Sequence, residues 1–245
     1  MKKINYSKIF KYIFIFIALI IFLFPLFWMV STSFKTKAQA FEFPPKFIFK
    51  PSLNNYIKVI NSEYPRYLMN SAVIGLGSVI ISLIIGTPAA YILSRYHFKA
   101  KKHVAFWILS TRMAPPIAIA LPMFIFMQKL NLLDTRLGLI ILYTTFNLSF
   151  VIWLMRGFFD EVPPSLDEAG LVDGCTRLTA FIKVVLPLVA PGIVATAIFC
   201  LIFSWNEFFY ALIMTRTAAR TVHVAVQGYI GIYGLSWGEM IVVET

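Results

Sequence analysis

Five of the eleven acidic residues, Asp160, Glu161, Asp167, Glu168 and Asp173, fall between positions 160 and 173. They belong to the longest markedly polar interval in the middle of a very apolar chain, centred on Pro163 to Pro191. Acidic side chains on such an insert can cap its helices or pair with basic groups of another protein. Ser165-x-x-Glu168 fits a capping box, in which the hydroxyl and the carboxylate each take one free backbone N–H. A helix from there ends by Asp173 at Gly174, the residue type that most easily takes a left-handed terminal conformation. A second helix begins near Thr176, with Leu178, Phe181, Ile182 and Val185 forming one apolar stripe at i, i+3, i+4 and i+7. Pro187 then leads away. The pattern predicts a helix–turn–helix over 163–187. The stripe packs either on the underside of its own bundle or, as part of a protruding ridge, in a groove of a partner.

Other chemistry is thinly represented. No GxxxxGK[ST] phosphate loop occurs, and neither does HExxH, GxSxG or a Ser/His/Asp set, so nothing calls for an enzyme. Cys175 and Cys200 are too few for a disulfide framework, and no cysteine or histidine spacing reads as a metal site; no cofactor is expected. His97, His103 and His223 are scattered. Inside the apolar stretches stand Arg112, Asn147, Trp205, Asn206 and Glu207. Polar groups at such depth line solute paths or tie helices together, and Glu207 has Arg112 or water as its alternative partner.

The elements that must position these residues follow from composition. Of 245 residues, 59% are hydrophobic and 13% charged, where a soluble domain carries about 25% charge. The apolar residues come in blocks of about 20, the length that crosses a hydrocarbon core about 30 Å thick. Period-two alternation is missing from IFIFIALIIFLFPLFWMV, which speaks against a β-barrel. The net charge of +11 sits beside the spans, where lipid head groups and topology account for it without nucleic acid.

The fold class is therefore all-α: a polytopic membrane helical bundle of one domain, 1–245, with spans at about 12–30, 67–93, 104–127, 137–155 and 188–214 and the start of a sixth near 237–245. Lys2, Lys3, Lys8 and Lys11 place the N-terminus inside. The first run exceeds the 7–15 residues of a signal-peptide core and lacks a small-x-small cleavage site, which favours a retained span. The connection 31–66, interrupted by Pro44-Pro45, Pro51 and Pro65, then lies outside, with a short amphipathic helix at Leu53 to Ile60. Gly75, Gly77 and Gly86 mark a closely packed second span. Arg95, Lys99, Lys101 and Lys102 make the short loop after it cytoplasmic. Pro115-Pro116 and Pro122 break the third span. The segment 163–187 is thus cytoplasmic.

Glu168-Ala169-Gly170-Leu171-Val172-Asp173-Gly174, with Phe181 and Leu186-Pro187-Leu188-x-x-Pro191, resembles the EAA–x3–G segment of ABC-importer permeases. Ala90-Tyr91-Ile92-Leu93-Ser94-Arg95, Trp153-Leu154-Met155-Arg156-Gly157-Phe158-Phe159 and Ser204-Trp205-Asn206-Glu207-Phe208 extend the likeness. They point to the carbohydrate-uptake branch, similar to the smaller membrane subunit of the maltose transporter. Two positions depart from the pattern. Gly170 stands where alanine is usual, which weakens the helix by about 1 kcal/mol, and Cys175 replaces a small residue.

The resemblance implies a translocation subunit in the cytoplasmic (inner) membrane, importing sugars by alternating access. Its partners would be a second permease, two ATP-binding subunits and an extracellular or periplasmic solute-binding protein. It makes 163–187 a coupling segment, with Glu168, Ala169, Gly170, Asp173, Gly174, Phe181 and Pro187 as its residues and Glu168 pairing with a basic residue of the ATPase. It also implies a sixth span and a short tail, of which the chain carries the doorway. A polyol or glycerol-phosphate-type solute, or an ion-driven carrier, are the alternatives.

Overall fold

The computed structural model describes residues 6–231 together with Ile241 and Val242. The chain divides into two compact units, residues 1–66 with 225–245 and residues 67–224.

In the first unit, α1 (Tyr6–Ser33) carries exposed apolar side chains around its whole circumference from Phe10 to Val30. A helix that is apolar all round belongs in lipid, and the expected span 12–30 lies within it. The following chain folds back over the end of α1. Asn55 Nδ2 donates to the carbonyls of Ser33 and Lys35, each at 2.9 Å, and the Ser33 and Tyr56 hydroxyls meet at 2.7 Å. The Lys35 ammonium, in a residue only 2% exposed, lies 4.1 Å from the Trp28 ring and 5.0 Å from that of Phe49. Two short helices punctuate this connection: α2 (Lys37–Ala40), closed by a Thr36/Gln39 capping box, and α3 (Asn54–Ile60), where the amphipathic helix was expected.

The second unit is a helical bundle. Its long members are α4 (Tyr64–Arg95) and α7 (Arg136–Glu161), both apolar and long enough to cross a membrane. Between them the third span is broken as the prolines require: α5 (Lys101–Ser110) stops, Pro115 is extended, and α6 (Pro116–Lys129) restarts with proline at its first position. The polar segment contains α8 (Ser165–Val172), α9 (Arg177–Ala180), a π-turn over Phe181–Val185 and α10 (Leu186–Leu188). A bend of 75° leads from there into α11 (Ala190–Trp205).

The fifth span, expected over 188–214, is not one helix. It breaks at residues 206–208 and resumes as α12 (Phe209–Met214). No proline marks this break. Glu207 Oε1 accepts from the Tyr210 N–H that the break frees, at 2.7 Å, and Asn206 Nδ2 joins its own N–H in donating to the Ile202 carbonyl, at 2.8 Å. Finally α13 (Val222–Gly231) begins. The expected start of a sixth span near 237–245 lies outside the described residues apart from Ile241 and Val242.

Small residues set the helix spacing. A Cβ on Gly86 of α4 would come within 2.6 Å of Val151 Cγ1 on α7, and one on Gly192 of α11 within 2.5 Å of the Phe158 ring. The backbones therefore approach as closely as glycine permits. Two apolar cores result. One, at the end holding the polar segment, gathers Tyr91, Met155, Phe159, Phe181 and Val185. The other, at the opposite end, gathers Ile74, Met127, Leu142, Tyr143 and Tyr210.

Candidate functional site

The polar segment departs from its expected start. Pro164, with φ −57° and ψ −26°, is already helical and occupies the N-cap position, and no side chain caps α8. An N-cap residue needs extended dihedrals; Ser165, inside the first turn, has none to offer. The capping box is therefore absent, and Glu168 is exposed without that duty.

The end of α8 is as expected and more complete. Gly174 has φ +86°, its N–H reaches the Leu171 carbonyl at 3.1 Å, and the Cys175 N–H reaches that of Gly170 at 3.0 Å. This is a Schellman motif. Thr176 then caps α9 by accepting from the Thr179 N–H at 3.2 Å.

Exposed on the turn are Glu168, Ala169, Asp173 and Gly174, a continuous outward ridge. Gly170, expected to share that ridge, faces inward instead: a Cβ there would stand 3.3 Å from that of Ala180. Phe181 is buried, its ring 4.6 Å from Tyr91, while Pro187 is exposed. The apolar stripe is also corrected. Phe181 and Val185 are buried, but Leu178 is 67% and Ile182 49% exposed. The π-turn widens the repeat, so Ala180, Phe181, Val185 and Val189 face the core together.

What anchors α8 was not anticipated. Asp167 Oδ2 accepts from Arg95 Nε at 2.7 Å and its Oδ1 accepts from the Tyr91 hydroxyl at 2.5 Å. The same guanidinium donates from Nη1 to the Phe159 carbonyl at 2.9 Å and from Nη2 to that of Val162 at 2.8 Å. Both carbonyls stand at the end of α7, where that of Phe159 also accepts from the Val162 N–H at 3.2 Å. The sequence offered Arg95 only as a topological charge.

Three of the candidate path residues come together. Arg112, Asn147 and Glu207 line one cavity of about 280 Å³, with Tyr143, Phe203 and Tyr210 among the aromatic walls. Arg112 faces ring planes, 4.7 Å from Phe150 and 4.9 Å from Phe203. Among the described residues the alternative Arg112–Glu207 ion pair does not form; Glu207 caps α12 instead. Asn147 has two attachments. It borders the cavity, and its Nδ2 donates to Ser204 Oγ at 2.8 Å, which meets Ser78 Oγ at 3.2 Å, so α7, α11 and α4 are tied together. Trp205 and Asn206 do not belong to the cavity lining; Asn206 is exposed and turns back onto its own helix.

At the opposite end, Asp134 receives the backbone N–H groups of Arg216, Thr217, Ala218 and Ala219 at 3.0–3.2 Å, together with the Thr217 hydroxyl at 3.2 Å. Burial alone would raise its pKa, but the backbone donors outweigh that and hold the carboxyl well below the usual carboxylate range. Close by, Asn70 donates to the carbonyls of Ala218 and Arg220 and accepts from Arg136 Nε at 2.7 Å.

Comparison with known proteins places this geometry. Residues 82–235 match the family described as binding-protein-dependent transport system inner membrane component. The trehalose/maltose transport system permease protein MalG of Thermococcus litoralis is 33% identical over 90% of this chain and 81% of its own length. The trehalose transport system permease protein SugB of Mycobacterium tuberculosis is 36% identical over 85% and 77%, and a probable ABC transporter permease, y4oR of Sinorhizobium fredii, is 39% identical over 89% and 78%. The fold is that of a solved chain from a bacterial ABC transporter involved in import of the acidic polysaccharide alginate, with TM-score 0.82 and 23% identity, over 100% of this chain and 92% of that one. A multi-pass helical chain with this family match is a member of the binding-protein-dependent inner-membrane transport components, the permeases of ABC transporters.

Proposed function

We propose that this chain is the permease subunit of an ATP-driven, binding-protein-dependent sugar importer, moving substrate by alternating access. Residues 1–245 work as one translocation domain beside a second permease, two ATP-binding subunits and an extracellular or periplasmic solute-binding protein, in a lipid bilayer. The N-terminus is cytoplasmic, on the charge of Lys2, Lys3, Lys8 and Lys11, and the basic loop after α4 shares that side. The sugar reading is supported by the relatives named for trehalose and maltose transport. The aromatic-walled cavity carrying Arg112, Asn147 and Glu207 supports it too, because sugars suit ring faces combined with hydrogen-bonding groups.

The observation that carries the reading is the outward ridge of Glu168, Ala169, Asp173 and Gly174. It is exposed, closed by a Schellman turn, and backed by the buried Gly170, Phe181 and Val185. An ATPase subunit docks on this ridge, with Glu168 meeting a basic residue there and Pro187 redirecting the chain toward α11. Gly174→Asp strains a left-handed position and adds charge to the ridge. In the co-expressed importer it is expected to abolish ATPase co-purification and ATP-dependent sugar uptake in proteoliposomes. Retention of both rules out the docking role.

A further inference from the structure

We infer that Asp167, held by Arg95 and Tyr91, is the positioning residue through which movement of α8 reaches the spans α4 and α7. This rests on the reading of the ridge as the ATPase dock.

An eight-residue helix seated mainly through Gly170 has little lateral grip. A force applied to its exposed side, at Glu168 and Ala169, would roll it unless its inward side were fixed. Asp167 faces inward and fixes it. Its carboxylate takes two charge-assisted hydrogen bonds from α4, Arg95 Nε at 2.7 Å and Tyr91 OH at 2.5 Å. The Arg95 guanidinium spends its other donors on the Phe159 and Val162 carbonyls, where α7 ends. One planar fork therefore joins α4, α7 and α8. Only arginine presents donors in that fixed geometry; lysine would hold one of the partners at a time.

The pair is largely shielded, with side chains 10% and 15% exposed, so water screens it far less than a surface ion pair. The Tyr91 ring extends the joint, at 5.5 Å from Phe159 and 4.6 Å from Phe181. The π-turn that follows α9 is thereby tied to the same point. Displacement of α8 cannot be absorbed locally, because its anchor is built from the ends of two spans.

The test uses the assembled importer in proteoliposomes, with Asp167→Ala, Asp167→Glu and Tyr91→Phe. Three quantities are read: ATPase subunit retained, ATP hydrolysed, and sugar taken up per ATP. Coupling energies of this kind correspond to about 5- to 150-fold. Asp167→Ala is expected to keep the ATPase bound while uptake per ATP falls about tenfold, and Asp167→Glu to restore most of the loss. Tyr91→Phe keeps the aromatic packing and removes one hydrogen bond, so it decides the matter even if Asp167→Ala fails to fold; uptake per ATP falls severalfold. Intact complexes of Tyr91→Phe with the original uptake per ATP overturn the inference. Failure of the docking reading appears elsewhere, as unchanged ATPase co-purification in Gly174→Asp.

Discussion

Asp134→Ala is expected to release the 215–220 stretch while leaving the rest of the bundle folded. The carboxylate receives four backbone N–H groups and one hydroxyl, all between 3.0 and 3.2 Å. A net hydrogen bond contributes about 0.5–1.5 kcal/mol, and more to a charged group. Asp134 is partly exposed, and water replaces much of what is lost, so the sum is discounted to about 2–3 kcal/mol. Arg216 and Arg220 lie in the stretch, which makes trypsin a local probe. Cleavage there should accelerate by about 30- to 150-fold if the opened population governs the rate, 1.4 kcal/mol being a factor of ten. The pH dependence follows from the same geometry. The folded-state pKa is depressed, so the stabilisation is fully present above the unfolded carboxylate value of about 3.9 and is lost as pH falls through the folded value. Protection of Arg216 should therefore be flat from neutral pH down to about 5 and fail only in strong acid. Unchanged cleavage in Asp134→Ala, or protection lost between neutral pH and about 5, refutes the reasoning.

Three further outcomes follow from the packing. Gly192→Ala forces a methyl against the Phe158 ring, which a Cβ would meet at 2.5 Å, and should lower stability by about 1–3 kcal/mol in detergent thermal melts. Lys35→Met removes an ammonium from the Trp28 and Phe49 faces, with an expected loss of about 1–2 kcal/mol, read as faster proteolysis of the 36–53 connection. Glu207→Gln keeps an acceptor for the Tyr210 N–H, whereas Glu207→Ala does not. The alanine variant alone should lose about 1 kcal/mol, while sugar uptake falls in both when the carboxylate also meets solute.

Where a backbone rule acts within a few residues, the chain could be read directly. Pro115-Pro116 dictated the interruption between α5 and α6, and Gly174 the end of α8. Features that depend on distant partners escaped. Arg95 and Asp167 are 72 positions apart, and each had a sufficient local account, one as a topology marker and one as part of an acidic group. The break at residues 206–208 carries no proline; Glu207 takes the Tyr210 N–H that it frees, while Asn206 adds a second donor to the Ile202 carbonyl at the end of α11. The π-turn misplaced Leu178 and Ile182. Pro187 lacks an N–H, and its ring crowds the carbonyl four residues earlier. Widening the preceding turn relieves that crowding, and the Leu186 N–H then bonds to Phe181, five residues back. A stripe counted at 3.6 residues per turn cannot register this shift.

The two interrupted spans bear on one place. The break after α5 supplies Thr111 and Arg112 to the cavity, and the break after α11 supplies Glu207. Non-helical backbone at membrane depth is tolerated where protein or a water-filled cavity meets it, and here both interruptions border the same cavity. The charges differ accordingly along the bundle. At one end Arg95 is fully engaged by a carboxylate and two carbonyls, and at the other Asp134 is engaged by a run of N–H groups. Those are fixed joints. Between them Arg112 is held by ring faces and Glu207 by backbone N–H groups at the start of α12, and both side chains border the cavity. In the proposed importer, a hydroxyl-rich solute would hydrogen-bond to them and release them again, whereas the engaged groups at the ends would transmit or resist movement. In that importer, solute contact falls to the middle of the bundle and mechanical linkage to its ends.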